Sequence, residues 1–320
     1  MERAPVKKTA LVTGAEGFIG SHLVRFLRTK GWNVVGTYRT YGSRVQLDEA
    51  NLSFAQCDLR NGQRVQQVFE DCRPTHVFHL GAQSLPTVSW SDPVETFESN
   101  IMGSLYLLET ARHCAKPPVI VCACSSAEYG NVPQSAIPVT ENHPPKPLHP
   151  YGISKLCVDL LARQYFVDYG LPIVTIRLFN TTGPGKTDDA PSDFVRQLAR
   201  IQKGLQEPLV EVGNLRPYRA FLDVRDTVNG FYLAATKGER GETYNLCADR
   251  TYRISEVLRT AISLSGVQAK VLQADRLMRP SDEKVIFGNA KKFRAATGWK
   301  PICSLTETLQ SMLEYWQRQS

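Results

Sequence analysis

The sequence lacks the patterns that identify several common classes of protein. Its eight cysteines include no C-x-x-C pair, so the spacing of a zinc or thiol-redox site is missing. No apolar run approaches the ~20 residues that a membrane-spanning helix needs. No repeat or low-complexity tract is present, and the opening MERAPVKK leads into a strand without a secretory signal. We therefore expect a cytoplasmic protein with reduced thiols, no membrane span and no metal site.

Runs of a single charge are also absent. The net charge is +7 and the isoelectric point is about 9.0, but Lys and Arg are scattered, without interleaved aromatic residues. This distribution argues against a nucleic-acid partner and favours a positive cleft for an anionic cofactor and an anionic substrate. With 320 residues, of which 42% are hydrophobic, the chain can form one large domain or two unequal ones.

Short apolar strands alternate with helices in the first half of the chain, which predicts an α/β fold with a doubly wound parallel sheet of the Rossmann type. The predicted strands are Thr9–Thr13, Trp32–Tyr38, Ser53–Cys57, His76–Leu80, Val119–Cys124 and Ile173–Leu178, and the first helix is Ser21–Lys30. After Asn180 the segments become shorter and mixed (Glu242–Leu246, Lys270–Gln273, Thr306–Trp316). We expect a second, smaller α/β lobe that binds substrate. The predicted division is 1–178 plus 220–246 for the dinucleotide-binding domain and 179–219 plus 247–320 for the nucleotide-sugar domain.

The run GAEGFIG follows the first strand and precedes the first helix. Glycine at positions 14, 17 and 20 lets the backbone approach a pyrophosphate, whose charge lies at the helix amino terminus. Glycines also serve ordinary turns, but the β-α-β context favours dinucleotide binding. The predicted cofactor contacts in this loop are Gly14, Gly17, Phe18, Ile19 and Gly20.

The end of the second strand indicates which dinucleotide is preferred. NAD usually requires a carboxylate at this point, whereas the 2′-phosphate of NADP requires a cation. The chain has Thr37 where an acid would stand, followed by Arg39 and, further on, Arg44. A planar guanidinium suits phosphate, so NADP(H) is favoured over NAD(H), although a surface arginine in a loop is the simpler interpretation.

Tyr151 and Lys155 are four residues apart in HPYGISK, so a helix would place both on one face. Most tyrosine–lysine pairs with this spacing lie on the solvent-exposed face of a helix and have no catalytic role. Here the pair follows a nucleotide-binding pattern, and an ammonium beside a phenol is expected to lower the phenol pKa from about 10 toward neutrality. Ser125 and Ser126 follow the apolar run VIVCAC at a strand end. A hydroxyl there can bond a substrate carbonyl, although serines at strand ends often only form turns.

GAEGFIG, CSSAEYG, YGISK and RLFN together resemble the extended short-chain dehydrogenase/reductases that act on nucleotide sugars, and the similarity covers essentially the whole chain. The resemblance implies that Ser125 binds the carbonyl, Tyr151 is the acid/base, and Lys155 binds ribose and tunes Tyr151. It also implies further cofactor contacts at Asp58, Leu59, Leu80, Gly81 and Ala82. Asn100 opens NIMGSLYLLE, which resembles a helix normally found at a dimer face, so a homodimer or a dimer of dimers is expected.

The second half resembles GDP-4-keto-6-deoxymannose reductases and, more loosely, GDP-mannose 4,6-dehydratases. This resemblance rests on the segments FNTTGPGK, VGNLRPYRAFLDVRD and RPSDE. The G-N-L at 213–215 is typical of GDP-sugar members. The resemblance implies substrate contacts at Gln83, Ser126, Glu128, Asn180, Arg219 and Arg279, with the two arginines on the diphosphate. Ala220 departs from the usual pattern, in which R-D-F stands here.

Ala127 distinguishes between reactions. Dehydration needs a further acid/base beside the tyrosine, and related dehydratases carry a glutamate where this chain has alanine. Ketone reduction needs only a hydride, a proton donor and a carbonyl clamp. We therefore expect an NADPH-dependent reductase of a GDP-4-keto-6-deoxyhexose that produces GDP-D-rhamnose. Glu128 is adjacent and keeps dehydration open. A nucleotide-sugar 4-epimerase with tightly held NAD, or a redox-sensing binding protein without catalysis, are further alternatives.

Overall fold

The computed structural model describes residues 8–40, 52–278 and 285–319, and its elements are numbered along the chain. The strands are β1 (Thr9–Thr13), β2 (Asn33–Tyr38), β3 (Leu52–Gln56), β4 (His76–His79), β5 (Val119–Ser125), β6 (Ile173–Leu178), β7 (Thr181–Thr182), β8 (Leu209–Val212), β9 (Tyr218–Arg219), β10 (Leu222–Asp223), β11 (Thr243–Leu246), β12 (Tyr252–Arg253), β13 (Lys270–Gln273) and β14 (Val285–Ile286). The α-helices are α1 (Phe18–Thr29), α2 (Gly62–Cys72), α3 (Pro86–Ser91), α4 (Pro93–Phe97), α5 (Gly103–Arg112), α6 (Pro150–Tyr169), α7 (Ala190–Gln202), α8 (Val224–Lys237), α9 (Ile254–Ser265), α10 (Lys291–Thr297) and α11 (Leu305–Gln319).

The central sheet has seven strands in the order β11-β6-β5-β4-β1-β2-β3, and every neighbouring pair is parallel. Alternate residues of a strand point to opposite faces, and both faces of β1 are buried. Ala10 and Val12 pack in one core with Leu23 of α1, whereas Leu11 packs in a second core with Val65 of α2. Helices thus cover the sheet on both sides, which confirms the doubly wound α/β fold.

The predicted elements of this sheet lie within a few residues of the observed ones. The largest difference is helix α1, which starts at Phe18 rather than at Ser21. Gly17 has an extended backbone and serves as the N-cap, so the helix begins directly inside the glycine run. The predicted segment Glu242–Leu246 corresponds to β11, which pairs with β6 at the sheet edge.

A second, smaller lobe is built from helices α7, α9 and α11, which pack against one another. Its separate apolar core includes Leu198, Val257 and Leu309, all with less than 1% of their surface exposed. The two-stranded parallel pair β8 and β13 lies beside it, and the predicted strand Lys270–Gln273 matches β13. The exact division of the chain into two domains stays a prediction.

Two expectations from composition concern thiols and membranes. All eight cysteines are free thiols, and those at positions 57, 122, 124 and 247 are buried. Among the helices within 8–40, 52–278 and 285–319, none combines the length and apolarity that crossing a membrane requires.

Candidate active site

A cavity of about 350 Å³ opens at the carboxyl ends of the central strands. The chain runs from β1 to β2 and β3 on one side and then to β4 on the other, so β1 and β4 flank the point where strand order reverses. Open parallel sheets bind ligands in this crevice. The lining contains every predicted cofactor residue: Gly14, Gly17, Phe18, Ile19, Gly20, Arg39, Asp58, Leu59, Leu80, Gly81, Ala82, Tyr151 and Lys155. Gln83, a predicted substrate contact, also lines this cavity. That the lining residues bind a dinucleotide stays a prediction.

The glycine loop is sterically restricted to glycine at two positions. Gly14 has φ +66°, and a Cβ there would lie 2.9 Å from the Cα of Gly81 after β4. A Cβ on Gly20 would lie 2.1 Å from the carbonyl oxygen of Gly14, which no side chain can tolerate. The first turn of α1 contains no acidic residue, so its N–H groups face an anion without competition from a carboxylate of that turn.

At the far end of the cavity, Arg39 follows β2 and engages acidic neighbours. Its guanidinium lies 2.5 Å from a carboxylate oxygen of Glu95, and its backbone N–H donates to Glu16 at 3.0 Å. Asp58 follows β3 and accepts from Arg60 at 2.6 Å, and this bond holds the pKa of Asp58 below its usual value. Arg44, the second arginine that the sequence suggested for phosphate, lies outside the described residues.

Helix α6 carries the proposed catalytic pair. His149 caps its first turn by accepting the N–H of Gly152, and Pro150 suits the first helical position, where its missing N–H is not needed. Tyr151 therefore lies in the first turn and Lys155 one turn later. The Lys155 ammonium is 6.0 Å from the centre of the Tyr151 ring and donates to the carbonyl of Ala123 at 2.9 Å.

Ser125 lies next to this pair. Its side chain is near enough to the phenol of Tyr151 to influence the phenol's ionisation, although 26 positions separate the two residues in the chain, and its hydroxyl accepts the N–H of Ala127 at 3.2 Å. Only 8% of the Ser125 surface is exposed. The structure thus brings together a hydroxyl, a phenol and an ammonium, the three groups that the sequence predicted for catalysis.

The expected lowering of the phenol pKa is not found. Burial raises the pKa of Tyr151 to about 12, while the neighbouring Ser125 side chain acts in the opposite direction. Burial also lowers the pKa of Lys155. The i, i+4 spacing indicated proximity correctly, but the ammonium is directed to the carbonyl of Ala123, and the loss of solvent dominates the ionisation of the phenol. Tyr151 is therefore protonated at neutral pH.

Glu128 does not reach either cavity described here. The residue has no exposed surface, accepts the backbone N–H of Ser125 at 2.9 Å and pairs with Arg177 at 3.0 Å. Arg177 is shared with Asp159 at 2.6 Å. The expectation that Glu128 contacts substrate is therefore wrong for this geometry, because both carboxylate oxygens have partners inside the protein. Ser126 begins the short helical turn after Ser125 and lines neither cavity.

A chain of hydrogen bonds behind the cavity was not foreseen from the sequence. Thr13 accepts the N–H groups of Leu80 and Gly81, at 3.1 and 2.9 Å, so its own proton is directed to Nδ1 of His79. Nε2 of His79 then donates to Ser104 at 2.8 Å. Burial lowers the pKa of His79 to about 3, which keeps the ring neutral. The loop after β4 is thereby tied to β1 and to α5.

Asn100 continues this support toward the catalytic helix. It lies in a π-helical turn, Glu98–Met102, and only 1% of its surface is exposed. Its side chain accepts the N–H of Gln83 at 2.7 Å and donates to Ser154 at 2.9 Å. The hydroxyl of Ser154 donates to the carbonyl of Tyr151 at 2.8 Å. The resemblance pointed to the helix that follows Asn100, but not to this link.

A second cavity of about 1060 Å³ is lined by residues of α7, β8 and β9 and by the segment that follows β6. Asn180 and Arg219, two of the substrate contacts that the resemblance implies, line it together with the run 213–215. Ala220, the departure from the family pattern, is 1% exposed and belongs to the apolar core. Arg279 lies outside the described residues. Lys186 lines both cavities and was not singled out from the sequence, although it ends the GPGK run.

Comparison with known proteins agrees with this geometry. The family model described as GDP-mannose 4,6 dehydratase matches residues 11–312. GDP-6-deoxy-D-mannose reductase from Pseudomonas aeruginosa is 28% identical over 96% of this chain and 96% of its own length. Among solved structures, RMD from P. aeruginosa complexed with NADPH has a TM-score of 0.86, is 27% identical, and is matched over 98% of this chain and 100% of that one.

UDP-glucose 4-epimerase from Thermus thermophilus in complex with NAD is similar to nearly the same degree. Its TM-score is 0.84 at 29% identity, with 96% of this chain and 98% of that chain covered. Reductase and epimerase therefore share one fold, and overall similarity does not separate the two activities.

Proposed function

We propose, from the premise that this chain belongs to the GDP-mannose 4,6-dehydratase family, that it reduces the C4 ketone of a GDP-4-keto-6-deoxyhexose with NADPH. The chain is an enzyme of the extended short-chain dehydrogenase/reductase type that modifies nucleotide sugars. Within that class, one observation carries the proposal. Ala127, which cannot exchange a proton, lies beside a complete set of groups for ketone reduction.

Reduction requires a clamp and a proton donor for the ketone oxygen, and the bound nicotinamide supplies the hydride. Ser125 can donate a hydrogen bond to the ketone, and Tyr151 can protonate the same oxygen as negative charge develops there. Burial raises the pKa of Tyr151, so the phenol holds its proton at neutral pH and can donate it to the ketone oxygen. The Lys155 ammonium stabilises the phenolate that remains after the transfer.

Dehydration is disfavoured by the position of the nearest carboxylate. A dehydratase must take a proton from C5 and protonate the leaving hydroxyl at C6, so a second acid/base has to face the sugar. Glu128 is the neighbour of Ala127, but it is buried and bonded to Ser125 and Arg177. Reaching the substrate would leave the buried Ser125 amide and the Arg177 guanidinium without this acceptor, which typically costs about 1–3 kcal/mol.

The second cavity supports a GDP-sugar as the substrate. Gly213, Asn214 and Leu215 line it, and Arg219 stands at its wall, where a guanidinium suits a diphosphate. Lys186 adds a cation where the two cavities meet, which favours an anionic ligand spanning both. We propose GDP-D-rhamnose as the product, which forms when hydride adds to the face of the C4 ketone that gives the manno configuration.

A homodimer, or a dimer of dimers, completes the proposal. Helix α6 exposes Ile153, Leu160 and Val167, which are seven residues apart and therefore form one stripe on its outer face. Trp90 and Val94 on the neighbouring α3 and α4 extend this apolar surface, with 67% and 65% of their area exposed. Apolar patches of this kind usually mark an interface. We place the enzyme in the cytoplasm, in keeping with its free thiols.

The test is a direct assay. Enzymatically prepared GDP-4-keto-6-deoxymannose is added with NADPH, the loss of NADPH absorbance is followed, and the sugar is identified by NMR. We expect stoichiometric oxidation of NADPH and a 6-deoxyhexose reduced at C4. Formation of a 4-keto-6-deoxy product from GDP-mannose alone would instead identify a dehydratase.

An epimerase is the second candidate, because the T. thermophilus epimerase shares the fold at 29% identity. An epimerase returns its hydride to the same sugar and therefore retains its nicotinamide. Release of one equivalent of NAD from the denatured protein, with no net consumption of added NADPH, would favour that activity over reduction.

A further inference from the structure

Glu95 contacts Arg39 and Ser99, two residues that line the first cavity. Its carboxylate lies between two guanidinium groups, with Arg39 2.5 Å from one oxygen and Arg60 paired with the other. Ser99, which lines the cavity, donates to the Arg39-facing oxygen at 3.0 Å. Asp92 caps the short helix α4 by accepting the N–H of Glu95, which holds this residue in place.

Arg39 lines the cavity where a dinucleotide presents the ribose of its adenosine, and Arg60 pairs with the same carboxylate as Arg39 does. Arg39 directly follows β2, the strand whose end selects between a 2′-hydroxyl and a 2′-phosphate. Arg60 follows β3, the neighbouring strand, through the turn that contains Asp58. Two guanidiniums that converge on one anion form a strong phosphate site, because each can donate parallel hydrogen bonds to neighbouring oxygens.

The anion that these arginines hold is part of the chain itself. A carboxylate presents two oxygens to the guanidiniums in much the same way as a phosphate does. We propose that Glu95 is a specificity-determining residue that competes with the 2′-phosphate of NADPH for Arg39 and Arg60, and so sets the preference between NADPH and NADH. This inference rests on the proposed use of NADP(H).

The acidic residues around Arg39 and Arg60 oppose the binding of a 2′-phosphate. Among the residues that the structure describes, Arg39 and Arg60 are in direct contact with three acidic residues, Glu16, Asp58 and Glu95. A 2′-phosphate brings further negative charge. It binds tightly only if the ion pair between Glu95 and Arg39 breaks, so that Arg39 can bind the phosphate. NADH, which has a 2′-hydroxyl, does not need that exchange.

The exposure of the pair indicates the size of the effect. The side chain of Arg39 is 54% exposed and that of Glu95 23%, so water screens the contact. Exposed ion pairs of this kind change an equilibrium by roughly two- to fivefold each. Glu95 therefore tunes cofactor choice and does not block NADPH.

The test compares binding of two small probes to the whole protein. The dissociation constants of 2′,5′-ADP, which carries the 2′-phosphate, and of 5′-AMP, which lacks it, are measured by calorimetry. The variants are Glu95→Gln and the matched control Glu98→Gln, which removes the same charge three positions later, on a residue 3.9 Å from Arg60. NADPH and NADH are titrated in parallel by fluorescence.

For Glu95→Gln we expect 2′,5′-ADP and NADPH to bind about three- to tenfold more tightly, with 5′-AMP and NADH changed by less than about twofold. Glu98→Gln should leave all four near wild type. In an Arg39→Ala background the effect of Glu95→Gln should shrink. Thermal unfolding of each variant confirms that it is folded.

The inference is overturned if Glu95→Gln weakens 2′,5′-ADP, since Glu95 would then orient the arginines instead of competing for them. It is also overturned if all four ligands tighten equally, which would be a general charge effect. A wild-type preference for NADH would contradict the proposed cofactor instead. The titrations with 2′,5′-ADP and 5′-AMP would still show the effect of Glu95→Gln on phosphate binding.

Discussion

Glu128 accepts the backbone N–H of Ser125 at 2.9 Å, so a carboxylate without exposed surface holds the strand end that carries the proposed catalytic hydroxyl. The Ser125 hydroxyl in turn caps the turn containing Glu128, and the two residues form a reciprocal capping box. Arg177 secures the other oxygen of Glu128. The geometry of the site therefore depends on a buried ionic network that does not itself touch a substrate.

Replacing Glu128 tests this support. Glu128→Ala leaves Arg177 with one carboxylate partner and the Ser125 amide with none, so we expect a loss of about 3 kcal/mol in the free energy of unfolding. Glu128→Gln keeps an acceptor for the amide and should cost less. Urea unfolding measures both. Equal, small losses in the two variants would contradict a supporting role.

The same network predicts a dependence of stability on pH. Burial and the nearby Asp159 raise the pKa of Glu128 from 4.5 to about 8. The folded protein thus binds this proton more tightly than the unfolded chain, and stability from this group falls as pH rises from about 4.5 to about 8. The Glu128→Gln side chain cannot titrate. As pH rises across this range, the free energy of unfolding of the variant should therefore increase relative to that of the wild type. A constant difference would contradict the raised pKa.

Tyr151→Phe tests the proton donor. The substitution keeps the ring and removes only the hydroxyl, so we expect kcat to fall by about 100- to 10,000-fold while NADPH still binds. Tyr169→Phe is the matched control, because Tyr169 ends the same helix and is 49% exposed. Single-turnover reduction and NADPH fluorescence separate chemistry from binding. Normal turnover in Tyr151→Phe would refute the assignment.

The pH dependence of the two reaction directions should differ. Because burial raises the pKa of Tyr151 to about 12, the phenol remains protonated throughout the usual assay range. Ketone reduction uses that proton and should be insensitive to Tyr151 between about pH 6 and pH 9, whereas oxidation of the alcohol needs the phenolate and should rise about tenfold per unit. Initial rates in both directions provide the check. A pH-independent oxidation would contradict this ionisation state.

Two glycine substitutions should differ in severity. A Cβ on Gly20 would lie 2.1 Å from the Gly14 carbonyl, but one on Gly17 would lie 3.1 Å from it. We expect Gly20→Ala to destabilise the protein by about 1–3 kcal/mol and to abolish dinucleotide binding. Gly17→Ala should have a smaller effect on both. Thermal unfolding and NADPH titration give the order, and the reverse order would contradict the predicted close approach.

Leu160→Glu tests the proposed dimer surface on α6. Leu160 is 58% exposed at the middle of the apolar stripe, so a charge there should shift the protein to monomers without unfolding it. Ile302→Glu, at an 83% exposed position in the second lobe, is the control. Light scattering after size exclusion measures the mass. A dimer unaffected by Leu160→Glu would place the interface elsewhere.

Local patterns in the sequence were sufficient for much of the fold. Strand and helix periodicity predicted the parallel sheet, and the spacing of Gly14, Gly17 and Gly20 predicted the loop after β1. Tyr151 and Lys155 were identifiable because a helix places residues four apart on one face whatever surrounds it. These features depend on backbone geometry over a few residues, and such geometry can be read along the chain.

Contacts between distant segments needed the tertiary structure. The proximity of Ser125 to Tyr151, the burial of Glu128 against Arg177, and the ion pair of Glu95 with Arg39 join residues 26 to 56 positions apart. The direction of the Tyr151 pKa shift was likewise mispredicted. Proximity to an ammonium follows from spacing, but ionisation depends on how much solvent the whole fold removes, and no short stretch of sequence contains that information.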